Sequence, residues 1–131
     1  MQATDLMTPD PVTTSPRRPV GDALRLMHDN DVRHLPVLDD GRLVGVLSDR
    51  DLRALWWSGV DGTADGRLRD RTVDDFMAHD PYTVSAEDDV DSLIEAFVDT
   101  RYGALPVLDA DGALVGIVSV IDVLKAARGQ L

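Results

Sequence analysis

An internal repeat covers almost the whole of this 131-residue chain. Segments of the first half return in the same order, first 70 residues later (Met77 against Met7) and then, after one inserted residue at Ala110 or Asp111, 71 residues later (Asp122 against Asp51). The matched segments are Asp5–Met7 with Asp75–Met77, Asp10–Ser15 with Asp80–Ser85, Leu35–Asp39 with Leu105–Asp109, and Leu43–Gly45 with Leu114–Gly116. Self-similarity at a fixed spacing marks one supersecondary unit per repeat. The sequence therefore predicts two copies of one small fold.

Each copy has the pattern strand, helix, strand, strand, helix. In the first copy the expected elements are an extended segment Pro11–Ser15, a helix from Pro19 to near Asn30, strands Leu35–Leu38 and Leu43–Leu47 joined by the turn Asp39–Gly41, and a helix Asp49–Trp57. In the second copy they are a helix Asp89–Thr100, strands Ala104–Leu108 and Leu114–Val118, and a helix from Val120 to near Arg128. The helices are assigned from apolar residues at helical spacing and from Pro at a helix start. The paired strands are assigned from apolar runs separated by a Gly-containing turn.

The expected fold class is α/β (α+β): two pseudo-symmetric repeats, each a small three-stranded sheet with two helices. The domain limits follow the repeat, with residues 1–60 as the first copy, 61–71 as a linker and 72–131 as the second. Ser58–Gly66 is rich in Gly and Asp, which indicates a mobile loop. A unit of about 60 residues is marginal alone, so we expect the two copies to pack together, sheet to sheet.

Composition excludes several classes of protein. The formal net charge of −11 disfavours a nucleic-acid partner, since such proteins carry a basic face. With no cysteine, a disulfide or thiolate metal site is impossible. No signal pattern stands at the N-terminus, and the longest apolar run, Ala113–Ile121, is too short to cross a bilayer. We expect a cytoplasmic protein with no membrane partner.

In both copies the same apolar strand ends in a Ser, and an Asp follows three residues later. The pairs are Ser48 with Asp51 and Ser119 with Asp122. A helix follows, so the Ser lies at a helix N-terminus, where free N–H groups favour an anion. The carboxylate one turn further on suits a vicinal diol, and together they indicate a ribose phosphate. The same spacing is that of a capping box, in which the acid reaches back to the helix start; the pair alone leaves both interpretations open.

These features together resemble the CBS domain, and the tandem pair resembles a stand-alone Bateman module. The residues that carry the resemblance are Met7 with Thr8, Leu35–Asp39, Gly45–Ser48 with Asp51, and their counterparts in the second copy. The resemblance implies a regulatory protein, not an enzyme. It implies reversible binding of AMP, ADP, ATP or S-adenosylmethionine in clefts between the two repeats, with no further cofactor. It also implies an unidentified protein that the module regulates.

Site residues follow from the resemblance position by position. Asp51 and Asp122 would bind ribose hydroxyls, and Ser48 and Ser119 would face phosphates. Around the base, the Asp51 site would add Val46, Met77, Tyr82 and Tyr102, and the Asp122 site would add Ile117, Met7, Val12 and Val32.

Basic residues distinguish the two sites. Arg33, His34 and Arg50 would approach the phosphates at the Asp51 site, although all three also fit solvated surface charge. Their counterparts Gly103, Ala104 and Ile121 carry no charge; the alternative is that a basic residue reaches the Asp122 site from elsewhere, since Arg101 is two residues before Gly103. We therefore expect the Asp51 site to bind a nucleotide better than the Asp122 site does.

Helix faces and catalytic groups complete the expectations. Apolar residues left over on the helices predict a homodimer, and of the adjacent Trp56 and Trp57 one is expected in the core and the other at a subunit contact. A structural dimerisation module with no physiological ligand is the alternative. No metal-ligand spacing and no activated nucleophile is recognisable, so a hydrolase fits least well.

Overall fold

A computed structural model of the chain describes residues 1–57 and 70–129, except for the side chains of residues 54–57. The elements are α1 (Ala3–Leu6), β1 (Thr8–Pro9), α2 (Val20–Asn30), β2 (His34–Asp39), β3 (Arg42–Ser48), α3 (Asp49–Trp57), a 3-10 turn (Val73–Asp75), β4 (Ala78–His79), β5 (Val84–Ser85), α4 (Val90–Thr100), β6 (Ala104–Leu108), β7 (Leu114–Ser119) and α5 (Val120–Gly129). The predicted α/β class is confirmed. The Ser58–Gly66 loop and the Trp56 and Trp57 side chains lie outside what is described. None of the described helices has the length and apolar character to cross a membrane.

Two compact units make up the chain, and their limits differ from those of the repeats. The terminal unit comprises Met1–Pro11 with Pro81–Leu131, and the central unit comprises Val12–Asp80. Each unit therefore contains a short N-terminal segment of the opposite repeat: β1 in the terminal unit and β4 in the central unit. The limits 1–60 and 72–131 are those of the repeats in the sequence. The compact units of the structure instead meet after Pro11 and after Asp80.

The central unit has an antiparallel sheet in the order β2-β3-β4. Asp40 and Gly41 have φ of 54° and 79°, which is the backbone of the tight turn expected between β2 and β3. The predicted early strand Pro11–Ser15 is reduced to one bridge, Thr14 to Val37. Only Thr14 contributes to this ladder, with its N–H and its carbonyl, because prolines flank the segment and lack a donor. The buried core consists of Val20, Ala23, Met27, Leu35, Val37, Leu47, Leu52, Val73 and Met77.

The terminal unit has a four-stranded sheet in the order β1-β7-β6-β5. Strand β5 is parallel to β6, and the other pairings are antiparallel. Strands β6 and β7 are the two predicted for the second copy, β5 is the early strand that the repeat pattern expects there, and β1 comes from the first repeat. The buried core consists of Ala3, Val84, Leu93, Ala96, Phe97, Leu105, Val107, Val118 and Val123.

Candidate functional site

The junction between β3 and α3 holds the Ser–Asp pair of the central unit. Ser48 is the last residue of β3, and Asp49 is the first of α3, so no loop separates them. The backbone N–H of Ser48 donates to Asp51 Oδ2 at 3.1 Å, and the backbone N–H of Asp51 donates to Ser48 Oγ at 3.1 Å. This reciprocal pair is a capping box. The structural alternative for the motif is therefore realised, and the two side chains secure the start of α3.

The terminal unit repeats the arrangement between β7 and α5. The N–H of Ser119 donates to Asp122 Oδ2 at 2.8 Å, and the N–H of Asp122 donates to Ser119 Oγ at 3.1 Å. All four side chains are half-buried. The motif therefore has one geometry in both copies, as its repetition in the sequence indicates.

Capping leaves part of each side chain available. Among the described residues, neither Asp51 Oδ1 nor Asp122 Oδ1 accepts a hydrogen bond. A carboxylate can accept several hydrogen bonds, and a hydroxyl that accepts one can still donate its own hydrogen. The pair can therefore cap the helix and, at the same time, offer an acceptor and a donor to a bound molecule.

Three candidate residues with basic side chains, Arg33, His34 and Arg50, flank this junction in the central unit. His34 is paired with Ser48 across the β2–β3 ladder, and the carbonyl of Arg33 accepts the N–H of Asp49 at 2.9 Å. Burial lowers the pKa of His34 from its usual 6.5, against the carboxylates of Asp49 and Asp51, which raise it, while the Arg33 charge adds to the lowering. Neutral imidazole is thus favoured beside Asp51.

The three corresponding positions in the terminal unit hold no basic residue. Ala104 is paired with Ser119, and the carbonyl of Gly103 accepts the N–H of Val120 at 3.0 Å. Ile121, which corresponds to the exposed Arg50, is itself exposed. The two junctions share these backbone pairings, and the three positions differ in their side chains.

A methionine lies against a strand glycine in each unit. A Cβ added to Gly45 would lie 2.7 Å from Met77 Sδ and 2.7 Å from the carbonyl oxygen of Ala78, and Gly116 is covered in the same way by Met7 and Thr8. Ala78 pairs with Val46, the residue after Gly45. The structure thus brings Met77 to the strand of Val46. The close backbone approach was missed from the sequence, although a Gly inside an apolar strand is its usual signal.

The remaining candidates lie in the unit other than that of their assigned Asp. Tyr82 and Tyr102, assigned to the Asp51 site, lie in the terminal unit and are exposed. Val12 and Val32, assigned to the Asp122 site, lie in the central unit, where they pack half-buried against its core. Met7, by contrast, lies with Asp122 in the terminal unit, where Thr8 pairs with Ile117.

Comparison with known proteins yields one family. The sequence model of the CBS domain matches residues 3–57 and 73–129. The uncharacterized protein MJ1225 of Methanocaldococcus jannaschii is 32% identical over 126 residues, which cover 92% of this chain and 45% of that protein. The chloroplastic CBS domain-containing protein CBSX1 of Arabidopsis thaliana is 34% identical over 145 residues, covering 94% of this chain and 59% of that protein. The chain thus spans about half the length of these curated relatives.

A solved structure matches over nearly the whole of both chains. The crystal structure of CBSX2, a CBS-pair protein of Arabidopsis thaliana, in complex with AMP has a TM-score of 0.83 and 34% sequence identity. The match covers 98% of this chain and 97% of that one.

Proposed function

Since this chain belongs to the CBS domain family and carries two copies of the domain, we propose that it is a regulatory module. In this proposal the module binds an adenosine-containing ligand. Binding is reversible, and the chain itself catalyses no reaction. The repeated Ser–Asp junction is the observation that most supports the proposal, because it joins an available carboxylate oxygen to a helix start. The AMP complex of CBSX2, at 34% identity over nearly the whole chain, points to the ligand class.

In this proposal the atoms left available by the capping box bind the ligand. Asp51 Oδ1 accepts a ribose hydroxyl while Oδ2 keeps its bond to the N–H of Ser48. The Ser48 hydroxyl accepts from the N–H of Asp51 and donates its own hydrogen to a phosphate oxygen. Val46, on β3, and Met77, which immediately precedes β4 in the same unit, supply apolar surface for the base. Asp122, Ser119, Ile117 and Met7 have these roles in the terminal unit.

The Asp51 site is the stronger of the two for a phosphorylated ligand. Arg33 and Arg50 are exposed on either side of the Ser48 junction, and a guanidinium matches phosphate oxygens in a fork of donors. The net charge of −11 repels an anion from most of the surface, so local positive charge matters more here. The Asp122 site then stays empty or takes a ligand with less negative charge.

A structural role without a ligand is the alternative, and the complete capping boxes favour it, because capping alone explains a Ser–Asp pair. In either case we propose that the chain forms a homodimer through its helices. The two functions differ in their response to nucleotides.

Calorimetric titration of the full chain with AMP, ADP, ATP and S-adenosylmethionine separates them. The proposal predicts heat and a raised melting temperature with at least one of these, since a ligand that binds only the folded state stabilises it. No heat and no thermal shift with any of the four would leave the structural alternative standing.

A further inference from the structure

Met7 and Met77 occupy matched positions of the two repeats, but their exposure differs. Met77 is 7% exposed and Met27 is 5% exposed, so neither side chain meets solvent freely. Met7 is half-buried, and Met1, at the chain terminus, is exposed. Met7 therefore combines access to solvent with the close contact on Gly116 described above.

The Met7 sulfur fills the space beside Gly116 in β7. A Cβ added to Gly116 would overlap Met7 Sδ, and it would lie 2.8 Å from Met7 Cγ and 2.9 Å from the carbonyl oxygen of Thr8. Met7 also packs against the buried core of the terminal unit. Oxidation of a thioether adds a polar oxygen to the sulfur. There is no room for that oxygen between the sulfur and β7, and its burial without a hydrogen-bond donor carries a desolvation cost.

A short ladder is all that pairs β1 with β7. The strand has two residues, Thr8 and Pro9, and Pro9 has no N–H to donate. The N–H of Asp10 adds one hydrogen bond to a carbonyl of β7, at 3.2 Å. In the central unit the matched residue of β4 is His79, which keeps its N–H and has a ring nitrogen 3.2 Å from the carbonyl oxygen of Asp74. Docking of β1 therefore depends more on its methionine than docking of β4 does.

The segment before β1 is anchored separately. Ala3 is fully buried, and its N–H donates to the carbonyl of Asp88 at 2.8 Å. The Thr4 hydroxyl donates to the carbonyl of Ala86 at 2.8 Å. Because these contacts lie in α1, separation of β1 from β7 leaves α1 attached to the terminal unit.

We propose that Met7 is a reversible oxidation site that controls the docking of β1 on β7. Hydrogen peroxide transfers one oxygen atom to Met7 Sδ: the O–O bond breaks, an S–O bond forms, the thioether is oxidised by two electrons to a sulfoxide, and the peroxide is reduced to water. The sulfoxide turns toward solvent, and β1 separates from β7. A methionine sulfoxide reductase, which takes two electrons and two protons from a pair of thiols, releases the oxygen as water and restores the contact.

This inference goes beyond the proposed function and requires no nucleotide. The central unit is protected, because burial shields Met77 from the oxidant. Oxidation therefore acts on one of two matched strands and leaves β4 in place.

Peptide mass spectrometry of the native full chain at graded peroxide concentrations measures which sulfurs react. Met7 should oxidise about tenfold faster than Met77, or more, because a buried sulfur reacts only when the unit opens locally. Urea-unfolded protein, in which both sulfurs are exposed, provides the reference rate for each residue. Equal rates for Met7 and Met77 in the native protein would overturn the proposal.

Amide hydrogen exchange measures the separation of β1. After peroxide treatment the Asp10 amide should exchange about tenfold faster or more. The Leu38 amide, which donates to the Thr14 carbonyl at 2.9 Å in the central unit, should keep its rate. Reductase treatment should restore the Asp10 rate, a comparison that uses the wild type alone.

Met7→Leu is the matched variant, since it keeps an apolar side chain of similar volume that peroxide does not oxidise. Its Asp10 amide should not respond to peroxide, although Met1 is still oxidised. An unchanged Asp10 rate in wild type that carries the Met7 sulfoxide, or a response that persists in Met7→Leu, would show that oxidation of Met7 does not control β1.

Discussion

Thr14 is 7% exposed, and its hydroxyl oxygen is a buried side-chain atom with no hydrogen-bond partner among the described residues. The matched position in the second repeat holds Val84, which is 5% exposed. An unpaired buried hydroxyl carries a desolvation cost, so Thr14→Val should raise the free energy of unfolding by about 1 kcal/mol. Thermal melting should show an increase of a few degrees, with the half-buried neighbour Thr13→Val as a control that changes little. A lower melting temperature for Thr14→Val would mean that the hydroxyl is paired in the folded protein.

His34 gives stability a pH dependence. Because burial lowers its pKa below 6.5, the unfolded chain binds a proton more readily than the folded one. The contribution of neutral His34 to the free energy of unfolding is therefore fully present above pH 6.5. It is lost as the pH falls below 6.5 toward the pKa of His34 in the folded protein. As the pH is lowered through that range, the melting temperature should fall more steeply for the wild type than for His34→Gln. The exposed His28→Gln is the matched control, and a wild-type curve that runs parallel to that of His34→Gln would contradict the account.

At the scale of the elements, strand glycines decide how closely β4 approaches β3. A Cβ at Gly45 would lie 2.7 Å from the Ala78 carbonyl oxygen, which is backbone and cannot move aside alone. Gly45→Ala should therefore lower the free energy of unfolding by about 1–3 kcal/mol. Gly21, in α2, has open space around its Cα, so Gly21→Ala should raise the free energy of unfolding by about 0.5–1 kcal/mol. Urea unfolding measures both, and a Gly45→Ala protein as stable as wild type would show that β4 can shift.

Helix and strand positions were largely predictable because their signals are local. Apolar spacing located α2, and Asp40 with Gly41 located the hairpin turn, where both residues have positive φ. Strands β1 and β4 were not predictable, because two-residue strands such as Thr8–Pro9 show no periodicity. The length of the strand Pro11–Ser15 was overestimated for a different reason: extending a strand requires backbone donors that prolines lack.

At the scale of the whole molecule, the repeat predicted the family and the two-copy architecture but not the compact units. Sequence similarity joins Met7 to the first copy, whereas its packing over Gly116 joins it to the terminal unit. The Ser–Asp pair was likewise ambiguous, because capping and hydroxyl binding require the same residues at the same spacing. The structure shows the capping bonds. Whether the carboxylate oxygen that capping leaves available binds a ligand is measured by a ligand titration.

That titration compares Asp51→Ala with Asp122→Ala. Each substitution removes one capping bond, from the Ser N–H to the Asp carboxylate, and keeps the backbone N–H that donates to the Ser hydroxyl. Both proteins should therefore lose about 1 kcal/mol of stability and melt earlier by a similar amount. Only Asp51→Ala should lose AMP affinity, by about tenfold or more, because a hydrogen bond to a carboxylate contributes roughly 1.5–3 kcal/mol. Calorimetry on the wild type and both variants at one ionic strength provides the measurement. A normal AMP affinity in Asp51→Ala, or an equal or larger loss in Asp122→Ala, would contradict the account.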